Sequence, residues 1–515
     1  MKNHRRALLL ACAGGFCLLG LAACYDVSSD AAVFLQGTGT DGVGSTGTGG
    51  TGGTTTTVDP GCIASSKAAP VDDDCGLFVS SSKGSDSNPG TKEAPLKSIS
   101  KALGTATGKP IYLCGETFAE AVEIKAGALV YGGLDCAADW AYAKEKRSSI
   151  APATESVALR VTSKATLEMY DVDVTSATAT EAGSSSVGVF LESETDLKLT
   201  RSDVTAGDGA AGAEGELFAD PATAGNDGQP GADACTGVML FGGASVANTC
   251  DAEMSVSGKG GVSDEFSGGA GSPGSPGAAT NGGVGQDANN PVCTAGTAGD
   301  PGEPGTSGAG ASGVGTLTSS GYEGVSGLDG KHGKVGQGGG GGGAAKGGST
   351  GNACNKIMNA PGNGGASGAS GGAGGCGGTG GHGGGGGGAS IGVLSLGATL
   401  SFESVTITSG NGGKGGNGGA GQTGGAGGKG VSGGNVPAAA TDLKPGCASG
   451  AGGKGGDGGL GGGGLGGPSI GVAYLGEAPA TTGAKITNGM PGGGGTGDGA
   501  MGTGAEGAAA PTQGF

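Results

Sequence analysis

The sequence predicts an all-β protein, a parallel β-solenoid with a short N-terminal helical cap and long Gly-rich insertions. Three observations predict it. Short β-rich runs recur with self-similarity at shifts of 30, 203 and 79 residues. The 131 Gly among 515 residues are concentrated in blocks rather than spread along the chain. Those blocks begin at one recurring point of the repeat. Length alone would suggest several domains, but a quarter Gly argues against a globular enzyme of full length. Whole-chain collagen is excluded, because Gly is often doubled and there are only 20 Pro.

The elements follow in chain order. Lys2, Arg5 and Arg6 precede an apolar run from Ala7 to Leu19, the pattern of an export signal, too short to span a bilayer comfortably. It ends in Leu21-Ala22-Ala23-Cys24, which resembles the lipobox of bacterial lipoproteins. The resemblance implies cleavage before Cys24, acylation of its sulfur, and a membrane partner through that lipid. Tyr25 rather than Asp after the Cys favours the outer membrane or cell surface by the same analogy. Cleavage takes the formal charge from −18 to about −21, since three basic residues leave and no acid does. Such acidity excludes a general nucleic-acid binder, which needs clustered Lys and Arg.

Once Cys12 and Cys17 leave and Cys24 is lipidated, ten cysteines remain: Cys62, Cys75, Cys114, Cys136, Cys235, Cys250, Cys293, Cys354, Cys376 and Cys447. The number is even, the compartment is oxidising, and no C-x-x-C pair is present, so disulfides are expected rather than zinc. Sequence leaves the connectivity open, with Cys62–Cys75 and Cys114–Cys136 as the nearest plausible partners. Residues 37–57 are almost wholly Gly, Thr and Ser, a coil spanning roughly 25 Å that would tether a folded part to the anchor.

Ordinary composition begins at Cys75. Leu77-Phe78-Val79 reads as a strand, Asn88-Pro89-Gly90 as a turn, and Leu96, Ile99, Ala102 and Leu103 as a short amphipathic helix stopped by Gly104. Ile111-Tyr112-Leu113, Val122-Glu123-Ile124 and Leu129-Val130-Tyr131 then read as three strands of one coil. The stretch from Phe78 to Leu103 resembles the N-terminal cap of the pectate-lyase-like right-handed parallel β-helix superfamily. That superfamily includes polysaccharide lyases, glycoside hydrolases and surface proteins without known activity, so fold transfers better than function.

The remaining coils come from self-similarity. Thr166–Thr175 aligns with Asp196–Thr205, Leu197–Gly207 with Leu400–Gly410, and Ser390-Ile391-Gly392-Val393 with Ser469-Ile470-Gly471-Val472. A weaker copy is read at Thr236-Gly237-Val238-Met239-Leu240-Phe241. Alternating Leu400 and Phe402 change phase before Val405 and Ile407, which predicts a corner near Glu403 and Ser404 and places Asp173, Asp203 and Thr406 outward in one column. The expected organisation is a signal over 1–23, anchor and tether over 24–60, cap and first coils over 61–206, and interrupted coils over 207–515.

Gly-rich blocks start after Gly207, Gly410 and Gly489, with a related start near Gly258. Several repeat Gly-Gly-x, as in 411–420, 371–382 and 452–460. Two readings stand: polyglycine-II-like extended helices stacked beside the coil, or unstructured spacer. Residues 296–308 are collagen-like for a few triplets, and in composition the blocks resemble PGRS-type Gly-rich surface proteins.

Chemistry is sparse. Gly-x-Ser-x-Gly at 388–392 and 467–471 matches a nucleophile elbow but repeats with the coil and has no His partner, so it reads as structural. Residues 452–457 are a single Ca²⁺-repeat-like stretch. Under the 30-residue shift Glu168 lies over Lys198, Asp171 over Arg201, and Asp173 over Asp203. Lyases of the β-helix superfamily hold Ca²⁺ with acids and use Lys or Arg as base, so the resemblance implies Asp173, Asp203 and Arg201 as candidate catalytic residues, with Ca²⁺ as the cofactor to consider. Otherwise no cofactor is expected. The leading functional expectation is a non-enzymatic, exported, lipid-anchored surface protein serving adhesion, matrix association or envelope structure. The alternative is a polysaccharide-active enzyme, against which the 18 aromatic residues weigh.

Overall fold

Alternation dictates the strands. In Asp196–Thr200 the side chains of Leu197 and Leu199 are buried while Asp196 is exposed, and Leu167 with Met169 and Leu400 with Phe402 repeat the pattern in the neighbouring strands. The computed structural model describes residues 59–64, 70–154, 156–277, 280–348, 353–357 and 359–515. They are nearly all β, and three sheets of parallel strands dominate. The first contains Leu77–Val79, Ile111–Cys114, Ala128–Asp135, Thr166–Tyr170, Asp196–Thr200 and Thr399–Glu403. The second runs from Thr117–Phe118 through Ser148–Ile150, Val172–Thr175, Asp203–Thr205 and Val405–Thr408 to Ala484–Thr487. The third runs from Val122–Ile124 through Val157–Val161, Ser186–Leu191, Ser390–Ser395 and Ser469–Tyr474 to Ala509–Gly514.

From Ile111 the chain visits first, second and third sheet in turn, and inward side chains from all three form one core that includes Ile124, Leu159, Met169, Leu199, Val204, Ile407 and Val472. Each such side chain contributes about 1.5–3 kcal/mol of burial. The repeated Ser-Ile-Gly-Val has a packing reason. A Cβ on Gly392 would lie 2.3 Å from Ile407 Cγ2, and one on Gly471 2.1 Å from Ile486 Cγ2. Gly is therefore the residue that lets the β-branched column of the second sheet fill the interior.

Corners differ. Between first and second sheets one residue per turn adopts positive φ: Asp171 at 57°, Arg201 at 52°, Ser404 at 55°. Ser404 is where the phase change placed a corner. Lys164 at 69° and Glu194 at 58° mark the corner from third to first sheet. From second to third sheet the chain instead makes its long excursions, 206–389, 409–468 and 488–508.

Two sequence expectations are corrected. The first coil takes its second strand from Thr117–Phe118, and Leu129-Val130-Tyr131 already belongs to the next turn of the first sheet. A two-residue strand leaves too little alternation to read. The weaker copy at 236–241 is outside the three parallel sheets; Leu240 instead bridges Ser263 antiparallel, leaving Phe241 exposed.

The Gly-rich excursions are hydrogen-bonded to one another every third residue. The amides of Gly372, Gly375, Gly378, Gly381, Gly384 and Gly387 donate to the carbonyls of Gly450, Gly453, Gly456, Gly459, Gly462 and Leu465. Those of Gly327, Gly330, Gly333, Gly336 and Gly339 donate to Gly384, Gly381, Gly378, Gly375 and Gly372, running the other way. Segment 366–388 lies inside, with further bonds to 210–232, 242–261 and 413–434. A Cβ on Gly378 would sit 1.9 Å from Gln422 O and one on Gly381 2.1 Å from Gly419 O. No described Gly between 322 and 396 has positive φ. Gly is used here because it has no side chain, not for unusual dihedrals.

Five disulfides join Cys62–Cys75, Cys114–Cys136, Cys235–Cys354, Cys250–Cys376 and Cys293–Cys447. The first two staple the N-terminal region, where Phe78, Tyr112, Tyr131 and Tyr170 stack outside the first sheet with centroids 5.0, 5.6 and 5.1 Å apart. The other three cross-link the Gly-rich segments.

Candidate functional site at the corner of the first and second sheets

The corner residues set the geometry. In-register pairing of Thr166–Tyr170 with Asp196–Thr200 puts Asp171 beneath Arg201, and Val174 opposite Val204 puts Asp173 beside Asp203. Asp171 is buried, and Arg201 grips it with both prongs, Nε to Oδ1 at 2.9 Å and a terminal NH₂ to Oδ2 at 2.7 Å. The Tyr142 hydroxyl donates to the same carboxylate at 3.1 Å. This fork-to-fork pair is the strong form of a charge-assisted hydrogen bond. The Asp171 carboxylate pushes the Arg201 guanidinium further up from its already high value, more than burial lowers it.

Asp173 belongs to a different set. Arg147 donates to its Oδ1 and lies 3.9 Å from Asp203 Oδ2, and the Asp203 amide donates to Asp173 Oδ1 at 2.8 Å. Burial raises the Asp173 carboxyl above the ordinary carboxylate value despite Arg147. Glu168 and Lys198 form a third, more exposed pair at 3.5 Å, with Lys198 Nζ 5.5 Å from the Tyr170 ring centroid.

The three candidate catalytic residues are thus neighbours split between two ion-pair sets. Arg201 is occupied by Asp171 and is not free to act as a base for a substrate held at Asp173 and Asp203. Among the described residues no third carboxylate or His joins that pair to complete a three-ligand metal set. The three-member group that does form is Cys114, Glu116 and Cys136, but its sulfurs are bonded to each other and offer no thiolate.

Sequence reasoning missed Arg147 and Tyr142. Both lie in a turn whose spacing differs from 30 residues: Val172 pairs with Ser148, not with a residue 30 positions earlier, so self-similarity does not reach them.

The repeated serines have a fixed task. Ser390 and Ser469 are fully buried, and their hydroxyls donate to the carbonyls of Gly207 and Gly410 at 2.7 Å, where the Gly-rich excursions depart. In the Ca²⁺-repeat-like stretch Asp457 accepts from Lys454 at 2.6 Å and from the Gly424 amide at 2.8 Å, which commits it to the layer.

No family model matches the chain, and no curated protein matches it. Among solved structures it has a weak likeness to the crystal structure of GH136 lacto-N-biosidase from Eubacterium ramulus, a selenomethionine derivative. Identity is 16%, the TM-score is 0.18, and the match covers 25% of this chain and 27% of that one. The match therefore spans about a quarter of that enzyme's length, and a likeness this slight carries no argument about function. Cys24, the expected export signal and the expected tether over 37–57 lie outside the described residues, and among the described ones no helix is long and apolar enough to cross a membrane.

Proposed function

We propose that the chain is a non-enzymatic, lipid-anchored protein of the cell surface or outer envelope, built as a right-handed parallel β-helix that carries a layer of polyglycine-II-like helices. Its role is adhesion, matrix association or envelope structure. One observation carries the non-enzymatic reading: the Arg that a lyase mechanism would need as base is locked onto buried Asp171. The three-residue bonding period between Gly-rich segments supports the helical layer. The signal, the Leu21-Ala22-Ala23-Cys24 motif and the Gly/Thr tether support anchoring at Cys24.

An unsaturated-uronide absorbance assay across acidic glycans tests the reading, with no turnover expected. Sustained turnover that disappears in Asp203→Asn overturns it in favour of the polysaccharide-active alternative. Palmitate labelling should be lost in Cys24→Ala, and labelling that survives the substitution contradicts the anchor.

A further inference from the structure

A cavity of about 550 Å³ opens where the Gly-rich layer meets the third sheet, beneath the hairpin formed by Thr316–Thr318 and Gly321–Glu323. Its accessible apolar lining is Val157, Ala182 and Ala213, while Phe190 and Tyr322, which also border it, are buried. Its rim carries the hydroxyls of Ser156, Ser184 and Ser326, none of which bonds another described residue, and the Glu323 carboxylate. Glu323 Oε1 accepts from Thr318 at 3.1 Å and Ser320 at 3.2 Å, which holds the side chain in place and leaves Oε2 without a partner among the described residues. Among the described residues no Lys, Arg or His lines the cavity. Tyr322 is buried with its hydroxyl unpartnered, and burial raises that hydroxyl to about 12.

We infer that this cavity binds a neutral saccharide of about disaccharide size. An anionic sugar is disfavoured, because Glu323 repels it and Arg160, which stacks 3.9 Å from the Phe190 ring centroid, is already paired with Glu192 at 2.9 Å. Vicinal sugar hydroxyls can donate to Oε2 and exchange hydrogen bonds with the three serines, while the C–H face of a ring packs on Val157, Ala182 and Ala213. An apolar base with a few converging polar groups is the usual form of a small-molecule site, and the volume is in the range of such sites. The site is separate from the corner of Asp173 and Asp203. It deepens the proposed adhesive role, on which its biological use rests, by naming the class of ligand.

Calorimetric titration of the full-length chain in detergent tests this, with cellobiose, maltose and N,N′-diacetylchitobiose as neutral probes and trigalacturonate as the anionic one. The expected result is millimolar or tighter binding of at least one neutral disaccharide. Binding should weaken tenfold or more in Glu323→Gln and be lost in Ser156→Trp, which fills the mouth of the cavity, with unchanged circular dichroism in both. The inference is overturned if no neutral probe binds, if trigalacturonate binds as tightly, or if both variants bind like the parent. Adhesion of cells carrying the chain to a glycan-coated surface reads the wider role separately. Saccharide binding without chain-dependent adhesion overturns the role and keeps the site, whereas adhesion that persists with no saccharide bound overturns the site.

Discussion

The coil and the Gly-rich layer are held together in opposite ways. In the coil, Leu197, Leu199, Val204 and Ile407 point inward and the core consists of side chains. In the layer, segment 366–388 is enclosed by other segments, yet among the described residues the apolar cluster set wholly within the Gly-rich segments is a small one around Ala234, Ala353, Ala366, Ala440 and Leu443. Amides bonded to carbonyls of neighbouring segments replace the side-chain core, and Gly brings the backbones close enough to bond. A chain poor in large apolar residues can thus still bury a great deal of itself, provided its buried N–H and C=O groups are paired.

Four changes would break or sharpen this contrast, in order of expected effect. Removing a layer disulfide should cost most, because Cys235–Cys354, Cys250–Cys376 and Cys293–Cys447 close separations of 119, 126 and 154 residues. Chain entropy assigns such loops about 5 kcal/mol, against about 3 kcal/mol for the 13-residue separation of Cys62–Cys75. Denaturant unfolding of Cys250→Ala/Cys376→Ala against Cys62→Ala/Cys75→Ala reads the difference, and equal losses would count against it. Leu199→Ala should cost about 3 kcal/mol and act on the coil, seen as lost amide protection in its parallel strands. Gly378→Ala should cost about 2 kcal/mol by wedging a methyl against Gln422 O, whereas Ala426→Ser, on the exposed third position, should leave the melting temperature unchanged.

The smallest effect depends on pH. Glu116 is partly buried, which raises its carboxyl, but hydrogen bonds from Ser81, Ser82 and Ser80 outweigh burial and hold it below the ordinary value. A lowered folded value means stability that is fully present above the unfolded value of about 4.3 and is lost as pH falls through the folded one. Glu116→Gln should therefore be about 1–2 kcal/mol less stable than the parent at pH 7, and the gap should close below about pH 4. A gap that stays constant with pH would remove the carboxylate from the account.

Much of the coil was legible because alternation repeats: Leu197 over Leu400, Val204 over Ile407 and the corner at Ser404 all follow from side-chain pattern. The departure corner was legible for the same reason, since each block begins at one repeat position. Layer pairings were not. Every Gly-Gly-x triplet looks like the next, so nothing local tells Gly372 to meet Gly450; that register is fixed by where the coil releases each segment and by long-range disulfides. At the corner, sequence placed Asp171 under Arg201 and Asp173 beside Asp203, but without Arg147 and Tyr142 it could not tell a locked Arg from a free one.

The central claim is that the Gly-rich blocks form an ordered, hydrogen-bonded layer, and hydrogen exchange resolved along 366–388 tests it most directly. The amides of Gly372, Gly375, Gly378, Gly381 and Gly384 should be as protected as those of the coil strands Asp196–Thr200 and Thr399–Glu403. Uniform exchange of the Gly-rich peptides at the rate of an unstructured chain, with the coil strands still protected, would contradict it.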